Sequence, residues 1–314
     1  MEIISDIKDL QVSWQKATIT LGDFDGFHLG HRRLIKKMIR SANENAPPVL
    51  VTYDPSPKKV LSRLRTDSNI YTKEEKIIIL QRFPIRAGVF IPFDLQMAQM
   101  SASHFLKNIL IDTLKASHII LGHDHCFGRN RHGNYSYLKK ARTKYDFEVN
   151  QIKAVSYHGL QVSSSRIRKL LKEGDIKSAN KLLVSPYLIM GVVIRGRQRG
   201  RQLGLPTANL RIPPEKLIPK EGVYYCSVQY GSEIFKSVVN IGFNPTFENV
   251  DISIEAHILN FNRNIYGETL KLYFHERIRD EKKFNTLDEL KMRIQTDIDF
   301  AKKKKIKVKN ETIS

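Results

Sequence analysis

Two histidines three residues apart, His28 and His31, lie in ITLGDFDGFHLGHRRLIKK (19–37), where β-type residues give way to a basic, helix-forming run. Imidazoles donate hydrogen bonds to phosphate oxygens, and residues at this spacing share one face of a helix. A helix N-terminus adds about half a positive charge and free backbone N–H groups. Gly22 and Gly26 let the backbone approach a phosphate or base without a Cβ in the way. A lone histidine here would be an ordinary surface residue. Two of them, with both glycines at one turn, are suited to gripping a triphosphate and stabilising charge that develops on one phosphorus.

Further candidates follow along the chain. VSSSRIRKLL (162–171) is a second helix start, with Ser164 and Ser165 placed to cap and Arg166 and Arg168 available for phosphates. VIRGRQRGRQLGLPTANLRI (193–212) is basic and carries Gly196, Gly200 and Gly204. It lacks the G-x-x-x-x-G-K-[ST] pattern, but such a loop can cradle a triphosphate through its backbone N–H groups. Glu255 is the only acid in an apolar strand formed by Ile252, Ile254, Ala256, Ile258 and Leu259. On its own it would be read as facing solvent. His123, His125 and Cys126 have no third ligand at a fitting distance, which makes them weak evidence for zinc.

The elements that must position these residues can be read from periodicity. Ala17–Leu21 is a short buried strand, and Leu34, Ile35 and Met38 mark a helix that lasts until ENAPP (44–48). Strand and helix then alternate through VTYDPSP, a helix at 72–83 capped by Thr72 with Glu75, a strand at 87–93, a helix at 101–114 and a strand from 116. This predicts an α/β domain with a parallel sheet covered on both faces, and ligands at the carboxyl ends of its strands. Near Leu183–Tyr187 the pattern changes to short alternating strands, predicting a small antiparallel barrel or sandwich and domains at 1–184 and 185–314. A final helix starts at Thr286 with a Thr286–Glu289 capping box, its buried stripe being Leu287, Leu290, Ile294, Ile298 and Ala301.

Composition narrows the class. The most apolar stretch, YLIMGVVI (187–194), falls far short of the roughly 20 residues that span a membrane. MEIISDIKDL lacks a basic-then-apolar signal pattern, and the two cysteines, Cys126 and Cys226, form no metal spacing; a reduced, cytoplasmic protein is expected. The net charge of +20 is mostly scattered lysine plus a terminal AKKKKIKVK, and it decides nothing alone.

GDFDGFHLGH resembles the G-x-F-D-x-x-H-x-G-H signature of the HxGH nucleotidylyltransferases, and specifically the FMN adenylyltransferase domain of bacterial bifunctional riboflavin kinase/FAD synthetases. VSSSRIRKLL is similar to that family's S-S-T-x-I-R segment, with Ser165 for Thr. VTYDPSP carries Ser56 where relatives show Pro-His-Pro, and GHDHCFGRNRHGN matches a flavin-side loop at Gly122, Asp124, Phe127, Gly128, Arg131 and Gly133. The P-T-A-N of Pro206–Asn209, NIGFNPTF (240–247) and YGETLKLYFHERIRDEKKF (266–284) resemble the riboflavin kinase domain. Arg195 stands where relatives often have His. NFNRNIYG replaces an acid-rich turn, a change expected at a loop tip well away from catalysis.

The resemblance implies a Rossmann-like nucleotidylyltransferase domain followed by a small antiparallel β-barrel with a terminal helix. It implies ATP binding by Gly22, Phe24, Gly26, His28, His31, Ser164, Ser165, Arg168, Gly196, Gly200, Gly204, Thr207 and Asn209. Thr207 and Asn209 would supply hard oxygens to Mg²⁺. Asp124, Phe127, Arg279 and Glu281 would contact flavin, and Glu255 would accept the proton of riboflavin's ribityl hydroxyl. Riboflavin, FMN and ATP are the implied partners, with a monomer or weak homo-oligomer and neither nucleic acid nor membrane. Two alternatives remain. One is an adenylyltransferase with an impaired kinase domain. The other is a basic nucleic-acid-binding protein, which lacks any RNP strand, helix-turn-helix or zinc finger.

Overall fold

Strand β2 (Ala17–Leu21) is buried at every position, as an apolar run without alternation requires of an interior parallel strand. The computed structural model describes all residues except 6, 8, 9, 11, 62–67, 197–203, 246–249, 283 and 307–314. Around β2 lie β1 (Glu2–Ile4), β3 (Pro48–Tyr53), β4 (Ala87–Ile91), β5 (Ala116–Gly122) and β6 (Glu148–Ile152). They form a six-stranded sheet in the order β1-β4-β3-β2-β5-β6, every pairing parallel. The chain leaves β2 toward β3 on one side and β5 toward β6 on the other. The topological switch therefore falls between β2 and β5, at whose carboxyl ends a ligand crevice forms.

Helix α1 (Leu29–Ser41) buries Leu34, Ile35 and Met38. The helices α2 (Pro57–Leu61), α3 (Lys73–Leu80), α4 (Leu95–Gln99), α5 (Ala102–His104) and α6 (Tyr135–Ala141) complete this part, with a short hairpin of β7 (Ser156–Tyr157) and β8 (Leu160–Gln161). The helix expected over 101–114 begins as α5 and widens to π geometry over Phe105–Thr113. Leu114 N–H reaches back five residues to Ile109 O at 2.9 Å. Edge strands β1 and β6 gave no apolar signal, and along β6 only Val149 is buried.

Helices α7 (Ser164–Glu173) and α8 (Ile176–Leu182) precede a closed antiparallel barrel. Its strands are β9 (Tyr187–Ile194), β10 (Ala208–Arg211), β11 (Gly222–Tyr230), β12 (Glu233–Pro245), β13 (Val250–Ile258) and β14 (Thr269–Arg279), joined in the order β10-β13-β12-β11-β14-β9. The sandwich alternative is thereby excluded. Helix α9 (Leu287–Lys303) packs Ile298 and Ala301 against Val223, Tyr225, Val238 and Leu259. Leu287, expected in its buried stripe, is 67% exposed, and the helix packs instead through its later turns. Asp297 occupies that face instead.

The chain packs as two compact units, residues 1–67 with 76–163, and 68–75 with 164–309. Helices α7 and α8 thus belong with the barrel, where the Asn180 amide donates to Phe274 O at 2.8 Å and accepts from Tyr187 N–H at 2.8 Å. The segment 68–75 is fixed to the same unit by Lys216. Its fully buried ammonium donates to Ile70 O, Leu188 O and the equally buried Glu75 carboxylate, each at 2.6 Å.

Candidate active sites

At the carboxyl end of β2 the chain turns sharply into α1. Phe24, Gly26 and Phe27 all take positive φ, and both phenylalanines are fully buried. His28 is the N-cap: its Nδ1 accepts from His31 N–H at 3.3 Å. An accepting Nδ1 places the proton of a neutral ring on Nε2, which is left as a donor. The His28 and His31 rings stack at 3.7 Å with an interplanar angle of 14°. Two imidazolium ions could not share that arrangement. Burial, opposed by the Asp124 charge, brings His28 down to about 4, and burial with the charges of His28 and Lys76 holds His31 well below its usual value. Both rings are therefore neutral donors near pH 7.

Phe24 sits within the turn, its ring 5.1 Å from His31 and 3.3 Å from where a Cβ on Gly22 would lie. It seats the histidine; its side chain is closed to solvent. Phe127 is likewise in the core, against Phe105 and Tyr137, with its backbone paired to Gly133. Both residues order their loops from beneath. Asp124, by contrast, is exposed after β5, and its backbone carbonyl accepts from Arg131 at 3.4 Å. Among the described residues no group of three metal-ligating side chains gathers around His123, His125 and Cys126.

Ser164 opens α7, Ser165 is exposed, and Arg168 Nε donates to Ser68 O at 3.4 Å. These three belong to the barrel unit, and His28 and His31 to the other.

In the barrel, two cavities meet at Thr207. The first, about 360 Å³, brings together Thr207, Glu255, Arg279 and Glu281, with Leu205, Val223, Phe284 and Ile294 among its apolar walls. The second, about 520 Å³, runs from Gly204, Pro206 and Thr207 to Phe261, Arg263 and Tyr266. Thr207 Oγ1 donates to Glu255 Oε2 at 3.4 Å, and Asn209 faces Glu255 across the β10–β13 pair. A Cβ on Gly196 would overlap the Asn209 side chain, so glycine there is needed for a close approach. Gly204 takes φ +73° in open space, and Gly200 lies outside the described residues.

The NFNRNIYG hairpin, expected at a loop tip, reaches the second cavity. Asn262, Arg263 and Asn264 line the second cavity together with Thr207. The sequence also gave no sign of Asn240, His257 or Asp297. Asn240 donates to Glu281 at 3.4 Å, and His257 Nδ1 lies 3.0 Å from Pro206 O. Asp297, 2% exposed, holds Arg279 through Nε at 2.9 Å and a terminal nitrogen at 2.8 Å. An acid in the apolar stripe of α9 was the one available signal.

A family model described as FAD synthetase matches residues 10–166, and one described as riboflavin kinase matches 183–305. The bifunctional riboflavin kinase/FMN adenylyltransferase of Buchnera aphidicola subsp. Schizaphis graminum is 35% identical over 309 residues, covering 96% of this chain and 98% of its own. The enzyme of that name from Haemophilus influenzae is 32% identical over 304 residues, with the same coverage. A crystal structure from Streptococcus pneumoniae, described as a macrolide-efflux protein, is similar at TM-score 0.87 and 30% identity, over 97% of this chain and 100% of that one. Among the described residues here, no helix is long and apolar enough to cross a membrane. With both halves matched in order along nearly its whole length, the chain belongs to the bifunctional riboflavin kinase/FMN adenylyltransferase family, whose two activities produce FMN and FAD.

Proposed function

We propose that FMN adenylylation is carried by residues 1–184 and riboflavin phosphorylation by residues 185–314, each on its own set of phosphate-handling groups. The stacked neutral imidazoles at the start of α1 carry the first assignment. The FMN phosphate is already anionic, so it needs alignment with the α-phosphorus of ATP and no general base. His28 and His31 donate to the phosphate on which charge develops, and the N-terminus of α1 adds its dipole. Asp124 contacts nucleoside or flavin.

In the barrel, riboflavin occupies the cavity with Arg279 and Glu281, and ATP the one flanked by Gly204–Thr207 and the 261–266 hairpin. Glu255 lines the first cavity beside Thr207, where the two meet, and takes the proton of the attacking ribityl hydroxyl. Thr207 and Asn209 would hold Mg²⁺, a choice favoured by their hard oxygens. Bound there, the ion would neutralise the phosphates of ATP.

The test is to incubate the chain with riboflavin, ATP and Mg²⁺ and resolve the flavins by chromatography. FMN followed by FAD is expected. FAD formed only when FMN is supplied would mean that the acid-free hairpin at 260–264 accompanies an impaired kinase.

A further inference from the structure

Lys76, near the start of α3, is 5% exposed, although nothing in the chemistry above uses it. Its ammonium donates to Asp23 O at 2.8 Å and lies 3.7 Å from Asp23 Oδ1. From the end of β3, Thr52 Oγ1 donates to the same carbonyl at 3.1 Å, and Ser56 Oγ donates to Asp23 Oδ2 at 2.8 Å. Three side chains from two other segments thus converge on residue 23. That residue is the point from which the chain enters the positive-φ stretch through Phe24 and Phe27. Such a backbone persists only where its surroundings over-determine it, and a buried ammonium persists only where it is paired. Ser56, which stands in place of a histidine, finds its use here too: it orients the carboxylate that pairs with Lys76.

We propose that Lys76, acting with Asp23 and Ser56, is a positioning residue for FMN adenylylation, pinning the β2–α1 turn so that His28 and His31 are presented together to phosphate. This rests on the reading of those two imidazoles as the phosphate-binding pair. The titratable and charged groups near the His28–His31 pair are, besides the two rings, Lys76 from α3, Asp23 and Asp25 in the turn, and Asp124 after β5. Of these, Lys76 and His28 oppose protonation of His31.

The experiment uses the full chain and follows FAD formation from FMN and ATP against pH, with phosphorylation of riboflavin measured on the same preparation. Lys76→Met should lower kcat about 10²-fold, the scale of a misplaced catalytic group, and leave FMN formation intact. Its acid limb in kcat/KM should move to higher pH, since a cation beside His31 is gone, and Lys76→Arg should restore most of both. Unchanged kcat with an unshifted limb in Lys76→Met would overturn the proposal. So would Lys76→Arg as impaired as Lys76→Met with no shift in either. Should Lys76→Met not fold, Asp23→Asn keeps the ammonium-to-carbonyl bond and removes only the carboxylate. Its acid limb should move to lower pH, and no movement overturns the proposal. His31→Ala at the wild-type rate would instead overturn the reading of the imidazoles, whatever Lys76→Met does.

Discussion

The β2–α1 turn and the barrel cavity, the two places proposed above to bind phosphate, are built in opposite ways. In the turn, Gly22, Gly26, His28 and His31 come from ten consecutive residues, and one helix start sets their geometry. In the barrel, Thr207, Asn240, Glu255, Arg279 and Asp297 come from four strands or their flanks and a terminal helix. A site made by one local conformation can be damaged at one residue while its neighbours stay in place. A site made by register depends on the strands being paired correctly, so its side chains share the stability of the whole barrel.

The sharpest contrast should come from Glu255→Gln, which keeps shape and hydrogen bonding and removes the proton acceptor. FMN formation should fall by roughly 10²–10⁴, with adenylylation of added FMN near wild type in a coupled flavin assay. Both activities near wild type would show that Glu255 only lines the cavity. His31→Ala is the mirror experiment: FAD formation should fall about 10²–10³-fold while riboflavin is still phosphorylated. Loss of both in a folded variant would break the division into two independent sites.

The same contrast explains what was legible in the sequence. The turn was legible because strand, glycines, histidines and helix are neighbours, so period and spacing describe them together. Thr72–Glu75 and Thr286–Glu289 were legible for that reason too: Thr72 Oγ1 accepts from Glu75 N–H at 3.3 Å and Thr286 Oγ1 from Glu289 N–H at 3.2 Å. Glu75 held a second role that no local pattern carries, since Lys216 lies 141 residues away. Asp297 was hidden in the same way, and so was the place of Asn262 and Arg263 beside Thr207, which only barrel closure brings about. Phe24 and Phe127 were found as motif positions, but their burial follows from packing beneath the turns and not from spacing.

Lys216→Met should separate stability from chemistry in the barrel. It would leave the Glu75 carboxyl, which burial already raises above its usual value, buried without its cation, and breaking such a pair costs about 3–5 kcal/mol. Denaturant unfolding should show this as a lower midpoint, and Glu75→Gln in the same chain should recover a large part by removing the orphaned charge. A Lys216→Met midpoint equal to wild type would mean that the pair adds nothing to holding segment 68–75.

The smallest effect is an acid dependence of stability that the turn shares with His125, which burial also brings down to about 4. His28 titrates near 4 in the folded chain and near 6.5 when unfolded, because burial disfavours its charged form. Between those values the unfolded chain binds the extra proton, so stability rises with pH through this window and is lost as pH falls from 6.5 toward 4. His31 is lowered for the same reason and adds to the loss in the same direction. Together they should weaken the first unit by a few kcal/mol at most on acidification. Unfolding followed between pH 7 and 4 should show the decline, and His28→Asn should flatten it, since asparagine can cap α1 without titrating. Bound ATP should flatten it as well, because its phosphates favour the protonated rings and raise the folded-state values toward 6.5. If His28→Asn and wild type declined in parallel, the acid sensitivity would lie elsewhere in the chain, and the neutrality of the stacked pair would no longer distinguish the turn from the barrel.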